Sequence, residues 1–360
     1  MPRLRRSRLS GPGYTRTGTG TGAHYLDPDG RPVTDAELVA RFDALVLPPA
    51  WTDVWLCPQA NGHIQATGVD AAGRTQYLYH PAWRARMDAI KFDRALDLAE
   101  VLPAARGRVR RNLREDGFTR ERALAAGFRM LDEASLRVGS EKYALEHGSF
   151  GLASLLWRHA TVTGSTVALD FPAKSRHRWQ SEIVDDDLAA YVRERRRRAA
   201  RAARDRSGAR PTATTTATGA DAAAGADETA PIDPRDIESS NLRLLAYLRS
   251  RRWRSISPED INDEVREQTG GDFTAKDFRT LHGTVTVARY LAAAGPVTSD
   301  ARRARVVAAA MRAAAEVLNN TPAVARASYV DPRVVDQYHR GRTIDPTRNP
   351  ERELLVLLRG

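Results

Sequence analysis

Two polar residues near the end of the chain stand where one helix is predicted to end and another to begin. In the run 318–329 (LNNTPAVARASY), Thr321 and Pro322 have the types preferred at the N-cap and at the first position of a helix. Asn320 precedes this predicted cap and stands nine residues before Tyr329. The pattern predicts one compact element that carries an amide donor and a phenol able to act as an oxygen nucleophile.

Three basic residues elsewhere have the types that a phosphodiester needs around it during cleavage. Such a transesterification requires a nucleophile, positive groups around the non-bridging oxygens and a proton for the leaving oxygen. Arg137 and Arg279 offer planar guanidinium groups that match phosphate geometry. Lys174 stands in a predicted tight turn, where its ammonium group can give up a proton. These residues, with Tyr329 and Asn320, form a candidate set for reversible phosphodiester cleavage.

Each of these residues also has an ordinary structural interpretation. Taken alone, Arg137 or Lys174 could be a solvated surface residue, and Tyr329 could be a packed tyrosine. Asn320 alone could be a helix C-cap. The residue types therefore need the support of the sequence around them.

The segments around these residues carry a more specific signal. They are 137–143 (RVGSEKY), 274–280 (TAKDFRT) and the run that begins at Thr321 and ends at Tyr329. In this order the three segments resemble the type IB DNA topoisomerases, in their short poxviral and bacterial form. The resemblance covers nearly the whole chain, apart from the N-terminal tail and the segment 207–230.

The resemblance implies a role for each candidate residue. Matched motif by motif, Arg137 and Arg279 are the two arginines of the active site. Lys174 is the hairpin lysine that protonates the departing 5′ oxygen, and Tyr329 is the nucleophile. Asn320 stands where poxviral and eukaryotic members have histidine, whereas bacterial members are similar to this chain. A neutral donor therefore replaces an ionisable one.

The resemblance also implies an architecture and a mechanism. The expected fold is α+β, with a small N-terminal antiparallel β domain and a larger, mainly α-helical catalytic domain that contains a three-stranded β-meander. The two are expected to form a C-shaped clamp around DNA. Tyr329 would form a 3′-phosphotyrosyl link, the cut strand would rotate, and the 5′-hydroxyl would attack back without ATP or metal.

Composition favours the same class of partner. The 360 residues suffice for two domains, and a formal net charge of +11 favours a polyanion. Cys57 is the one cysteine, so no intramolecular disulfide or cysteine metal cluster can form. No Walker A or His-Glu-x-x-His motif is found in the sequence. We predict no cofactor, no metal and no membrane segment, and a cytoplasmic, nucleoid-associated monomer on double-stranded DNA.

Local patterns predict how the chain is divided. Residues 1–22 are basic and then Gly/Thr-rich, which predicts a disordered tail, whereas 23–90 show short strands between turns. Residues 91–345 are predicted as the mainly helical catalytic domain and 346–360 as a C-terminal tail. The segment 207–230 is rich in Ala, Thr and Gly, which predicts a flexible excursion.

Eight further residues are predicted to contact DNA. Those on the N-terminal sheet could line a groove or could serve ordinary sheet packing. His282 follows Arg279 by one turn on the same helix face and could equally be a buried structural histidine. The set comprises Gln65, Arg74, Tyr77, Tyr79, His80, Lys142, Lys276 and His282.

Two other functions stay open at this point. A tyrosine recombinase shares the chemistry, but recombinases typically have a helical N-terminus and a His-x-x-Arg pair, whereas the order here is Arg279-x-x-His282. A non-catalytic basic DNA-binding protein would explain the charge but not four matched positions. Supercoiled plasmid treated in the presence of a chelator separates the three: stepwise relaxation, site-specific exchange, or retardation alone.

Overall fold

The chain forms two compact units, Met1–Lys91 and Phe92–Gly360. The computed structural model describes residues 3–18, 22–174, 177–207 and 233–360. The excursion predicted over 207–230 lies outside these residues except for Ser207. Each unit has a hydrophobic core of its own, so each is described by itself.

The described residues contain strands and helices in both units. The strands are β1 Tyr14–Thr17, β2 His24–Leu26, β3 Thr52–Leu56, β4 Ile64–Val69, β5 Thr75–Tyr79, β6 Ala160–Thr163, β7 Thr166–Pro172, β8 Arg178–Val184, β9 Ala246–Arg249 and β10 Arg252–Ser255. The α-helices are α1 Ala36–Asp43, α2 Pro81–Leu113, α3 Arg120–Ala134, α4 Glu141–His147, α5 Asp186–Ser207, α6 Pro234–Glu238, α7 Pro258–Thr269, α8 Ala275–Ala294, α9 Asp300–Val317, α10 Pro322–Ser328, α11 Pro332–His339 and α12 Pro350–Arg359. Within the described ranges, no helix has both the length and the apolar character needed to cross a membrane.

The first unit is built on a five-stranded antiparallel sheet of order β2-β1-β3-β4-β5. Helix α1 packs on it through Phe42, whose ring lies 5.1 Å from that of Tyr14 and 5.0 Å from that of Tyr25. Strand β1 therefore lies inside the segment 1–22 that the sequence predicts to be disordered. Strand β1 gains pairing partners on both edges and an aromatic contact with the core, which compensate for its Gly/Thr-rich surroundings.

The second unit is mainly helical and contains the predicted three-stranded meander, with strand order β6-β7-β8. The predicted α+β class is thus confirmed. Threonine side chains cap three helices of this unit, as their hydroxyl groups favour: Thr119 caps α3, Thr321 caps α10, and Thr274 shares a capping box with Asp277 at the start of α8. Helices α3 and α8 meet through the rings of Phe128 and Phe278, whose centroids are 5.4 Å apart.

The last residues form a helix where the sequence predicts only a tail over 346–360. Asn349 caps α12 by accepting a hydrogen bond from the Arg352 N–H at 2.9 Å. Leu354 is fully buried in the core of the second unit. The helix is amphipathic, and its apolar side needs a partner that lies far away in sequence. Packing therefore decides that this segment is ordered.

Candidate active site

Arg279 is the most buried of the candidate residues. It stands in α8, one turn after the capping box, and is 3% exposed. Its Nη1 donates to the Ser135 carbonyl at 2.5 Å, and its Nη2 donates to the Leu318 carbonyl at 2.7 Å. Its Nε is buried and has no hydrogen-bond partner among the residues the structure describes. One donor of a rigidly held guanidinium therefore remains available for a ligand oxygen.

Tyr329 lies directly against this guanidinium. It is the half-buried C-cap of α10, and the Arg279 Cζ lies 5.0 Å from the centre of its ring. Burial raises the pKa of the Tyr329 phenol, but the charges and side-chain hydrogen bonds of Arg279 and Arg137 outweigh it and hold the pKa below the ordinary value of 10.0. Burial, together with the charge of Arg137, lowers the pKa of Arg279 to about 10. The arrangement therefore makes the Tyr329 phenol more acidic than a free tyrosine.

Arg137 and Asn320 form a direct pair beside Tyr329. The Arg137 Nη2 donates to the Asn320 Oδ1 at 2.7 Å. A guanidinium can only donate, which fixes the orientation of the Asn320 amide and leaves its Nδ2 as a donor. This Nδ2 is buried and has no partner within the described part of the chain. Asn320 Nδ2 and Arg279 Nε are thus two buried donors of this group of residues that lack a partner in the described part of the chain.

Residues of α8 position the backbone of Tyr329. The Thr284 hydroxyl donates to the Thr280 carbonyl at 2.8 Å and lies 3.2 Å from the Tyr329 carbonyl oxygen, and its Oγ1 accepts from the Asp331 N–H at 3.1 Å. A Cβ on Gly283 would lie 2.9 Å from the Tyr329 carbonyl oxygen, so only glycine permits this approach without a shift. Sequence reasoning did not give Thr284 or Ser135 a role. Thr284 stands just after the quoted motif, whereas nothing local marks Ser135.

Lys174 lies on the turn that follows β7. Its side chain is exposed and makes no hydrogen bond or ion pair with the residues that the structure describes. With Arg137 it lines a cavity of about 740 Å³ that extends along α4. The hairpin that carries it is joined to the Asn320 junction, because the Asn319 Nδ2 donates to the Arg178 carbonyl at 3.2 Å. The structure thus brings four candidates into contact and leaves Lys174 at the edge of a cavity shared with Arg137.

Exposed side chains on β5 match the predicted DNA-facing surface of the first unit. The rings of Tyr77 and Tyr79 are exposed and nearly parallel, with centroids 6.2 Å apart. Arg74 is also exposed, but its guanidinium pairs with Asp70 at 2.8 Å. The two tyrosines are therefore available to stack on bases or to contact sugars. Arg74, by contrast, would have to contact a phosphate while it is paired with Asp70.

Two of the residues predicted to contact DNA in this unit instead make hydrogen bonds within the unit. Gln65 is buried, and its Nε2 donates to the Gly62 carbonyl at 2.7 Å. The Nδ1 of His80 accepts from the Ala82 N–H at 3.1 Å and so caps the start of α2. We leave Gln65 out of the proposed DNA-facing set, because its carboxamide stabilises a loop and does not reach the surface.

The residues predicted to contact DNA in the second unit also include both exposed and inward-pointing side chains. Lys142 and Lys276 are exposed and charged. His282 instead points inward, with its Nδ1 2.6 Å from the Ser135 Oγ. Burial lowers the pKa of His282, which favours the neutral ring. Its surroundings match the structural-histidine interpretation and do not favour a charged contact with phosphate.

One group of side chains has the types of a metal site. The ligand atoms of Asp132, His282 and Glu351 lie within 4.8 Å of one another. Arg106, however, bonds both carboxylates, at 2.8 Å to Asp132 and 2.6 Å to Glu351. The carboxylate oxygens are therefore engaged by a guanidinium, and we assign no metal to this group.

Comparisons with known proteins agree with the geometry. Residues 22–70 match the family model of the bacterial DNA topoisomerase IB N-terminal domain, and residues 80–195 with 242–344 match that of the eukaryotic DNA topoisomerase I catalytic core. The chain is 24% identical over 315 residues to DNA topoisomerase 1B of Acanthamoeba polyphaga mimivirus, which covers 85% of this chain and 81% of that protein. The matched core includes Arg137, Lys174, Arg279, Asn320 and Tyr329.

Proposed function

The chain belongs to the type IB DNA topoisomerase family, and from this premise we propose that it relaxes supercoiled double-stranded DNA through a transient break in one strand. The net charge of +11 suits a polyanionic substrate. The five candidate residues all lie in the second unit of one chain, so a monomer supplies a complete site. The proposed place of action is the nucleoid in the cytoplasm.

The contact between Arg279 and Tyr329 carries this proposal. The guanidinium over the ring lowers the pKa of the phenol and so raises the fraction of phenolate. The Tyr329 oxygen attacks phosphorus, a 3′-phosphotyrosyl bond forms, and the bond to the 5′ oxygen breaks. After the free strand rotates, the 5′-hydroxyl attacks the same phosphorus and releases the tyrosine.

The buried donors stabilise the charge that develops in this step. Asn320 Nδ2 and Arg279 Nε are oriented before the substrate arrives, because Arg137 holds the amide and two carbonyls hold the guanidinium. We assign them to the non-bridging oxygens, together with Arg137. Loss of one preorganised donor of this kind typically lowers the rate by about 10²–10³.

Lys174 is the proposed general acid. Its exposed ammonium group is a donor that can give a proton to the departing 5′ oxygen. Its turn opens on the cavity that Arg137 also lines, which is where the 5′ side of the strand would leave. In religation the proton returns from the 5′-hydroxyl to Lys174. The phosphotyrosyl bond retains the energy of the cleaved bond, so resealing needs no ATP.

The substitution Tyr329→Phe tests the assignment of the nucleophile. The variant should bind duplex DNA as the parental protein does but form no covalent adduct, because only the hydroxyl is removed. Tyr290→Phe is the matched control, since this exposed tyrosine lies in α8 and plays no part in the proposal. The measurement is the denaturant-resistant protein–DNA adduct on a labelled strand. An adduct of parental yield in Tyr329→Phe would refute the assignment.

A further inference from the structure

Helix α12 lies beyond the residues matched to the catalytic core, which end at 344. One of its side chains nevertheless enters an ionic cluster in the interior of the second unit. Arg106 of α2 binds Asp132 through Nε and Nη2, both at 2.8 Å. It binds Glu351 of α12 through Nη1 at 2.7 Å and Nη2 at 2.6 Å. We call Arg106, Asp132 and Glu351 the Arg106 cluster.

His282 connects this cluster to the active site. A nitrogen of its ring lies within 4.8 Å of a carboxylate oxygen of Asp132 and of Glu351. Its Nδ1 lies 2.6 Å from the Ser135 Oγ, and the Ser135 carbonyl accepts from Arg279. His282 thus stands between the Arg106 cluster and Ser135, whose carbonyl accepts from the guanidinium that faces Tyr329.

The Arg279 guanidinium is held in place by backbone groups. Two backbone carbonyls hold it, and no carboxylate pairs with it among the described residues. One of these carbonyls belongs to Ser135, which has a φ of 54°, a left-handed conformation that is unfavourable for a residue with a Cβ. Ser135 is the C-cap of α3, where its N–H donates to the Leu131 carbonyl at 3.1 Å, and its Oγ is bonded to His282. We expect a displacement of His282 to move the Ser135 side chain and with it the carbonyl that holds Arg279.

We propose that Glu351 and His282 are positioning residues for strand cleavage, so that α12 is part of the catalytic unit. This inference rests on the proposed role of Arg279. Without the Glu351 charge, Arg106 keeps one of its two carboxylate partners, and the cluster relaxes toward Asp132. The ring of His282, which lies beside both carboxylates, shifts with the cluster and holds Ser135 less firmly. Because a misplacement of about 1 Å can lower a rate by about 10²-fold, we expect partial loss of support to slow cleavage by about tenfold.

The test compares two isosteric substitutions on the same helix. Glu351→Gln should form the covalent adduct about tenfold more slowly in a single turnover while its DNA affinity changes by less than about twofold. Glu353→Gln is the control, because the Glu353 carboxylate accepts from the Asp345 N–H and pairs with Arg348, and within the described ranges it makes no bond to the Arg106 cluster. It should cleave at the parental rate. Melting temperatures of both full-length variants show whether a slower rate merely follows unfolding.

Two more variants separate positioning from general stability. His282→Asn should retain more cleavage than His282→Ala, since an amide can replace the bond to Ser135. In an Arg279→Lys background, Glu351→Gln should add little further loss, because both act through the same group. A parental rate in Glu351→Gln, or fully additive losses, would overturn the inference alone. A parental protein that forms no adduct would overturn the proposed function and this inference together.

Discussion

Asn320 shows at the residue scale how a neutral side chain can serve where an ionisable donor would also fit. Its Oδ1 is occupied by the Arg137 Nη2, so its Nδ2 is left as a buried donor. A histidine in this position could likewise present one N–H. The requirement is therefore a donor at a fixed reach, and the charge on the site comes from the arginines.

Removal of the Asn320 donor should affect the rate of the reaction and leave DNA binding almost unchanged. Asn320→Ala should slow cleavage and religation together by about 10²-fold, because the bond strengthens as charge builds on the phosphorane oxygens. Asn320→His should retain substantial activity. Both rates are measured in single turnovers beside equilibrium DNA binding, which should change little. If Asn320→Ala cleaved at the parental rate, Asn320 would serve only as a cap between α9 and α10.

At the scale of elements, helix α8 organises the site. The capping box at Thr274 fixes where the helix begins and therefore the direction in which Arg279 points. One turn later, Gly283 and Thr284 contact the backbone of Tyr329. A single helix thus fixes both the arginine and the tyrosine, and their relative position depends on close packing between α8 and the segment after α10.

The element-scale prediction concerns the closest point of that packing. Gly283→Ala should slow adduct formation by about tenfold or more, because the new Cβ would push the Tyr329 carbonyl away and such displacements are costly for rate. Gly107→Ala is the matched control: it makes the same change within α2, where no atom would lie within 4 Å of the new Cβ. The control should cleave normally and be more stable by about 0.5–1 kcal/mol. Equal cleavage rates in the two variants would contradict the packing argument.

At the scale of the whole molecule, charge is the dominant property. The net charge of +11 arises mostly from arginine, since only four of the 56 Lys and Arg residues are lysines. Many arginines pair with carboxylates inside the second unit, as Arg106 and Arg129 do. Exposed cations such as Lys142 and Lys276 are the ones available to phosphates. Binding should therefore depend on many weak contacts, whereas cleavage should depend on a few buried donors.

At this scale we predict that salt weakens DNA binding much more than it slows strand cleavage. DNA affinity should fall linearly on a plot of log K against log salt, because each phosphate contact releases counterions. Tyr329→Phe allows this slope to be measured without cleavage. The single-turnover rate of the parental protein at saturating DNA should vary far less, since the donors assigned to the phosphate oxygens are buried. A cleavage rate that fell as steeply as the affinity would place the exposed cations in the chemical step.

Features that depend on neighbouring residues can be predicted from the chain alone. The caps at Thr119, Thr274 and Thr321, the meander and the α+β class follow from hydrogen bonds and periodicities that span a few residues. The segments 137–143, 274–280 and 321–329 were enough to indicate the family. Side-chain types at fixed spacing therefore indicated both the local structure and the chemistry expected of the site.

Contacts between residues far apart in sequence become visible only in the tertiary structure. Strand β1 and helix α12 are ordered because they pack against partners that no local pattern names. The bond from Arg279 to Ser135 spans 144 residues, and that from Arg106 to Glu351 spans 245. Contacts of this range form when burial of apolar surface brings separate elements together, and that free energy depends on the whole fold. For the same reason, the inward orientation of His282 and the buried amide of Gln65 could not be derived from the residues around them.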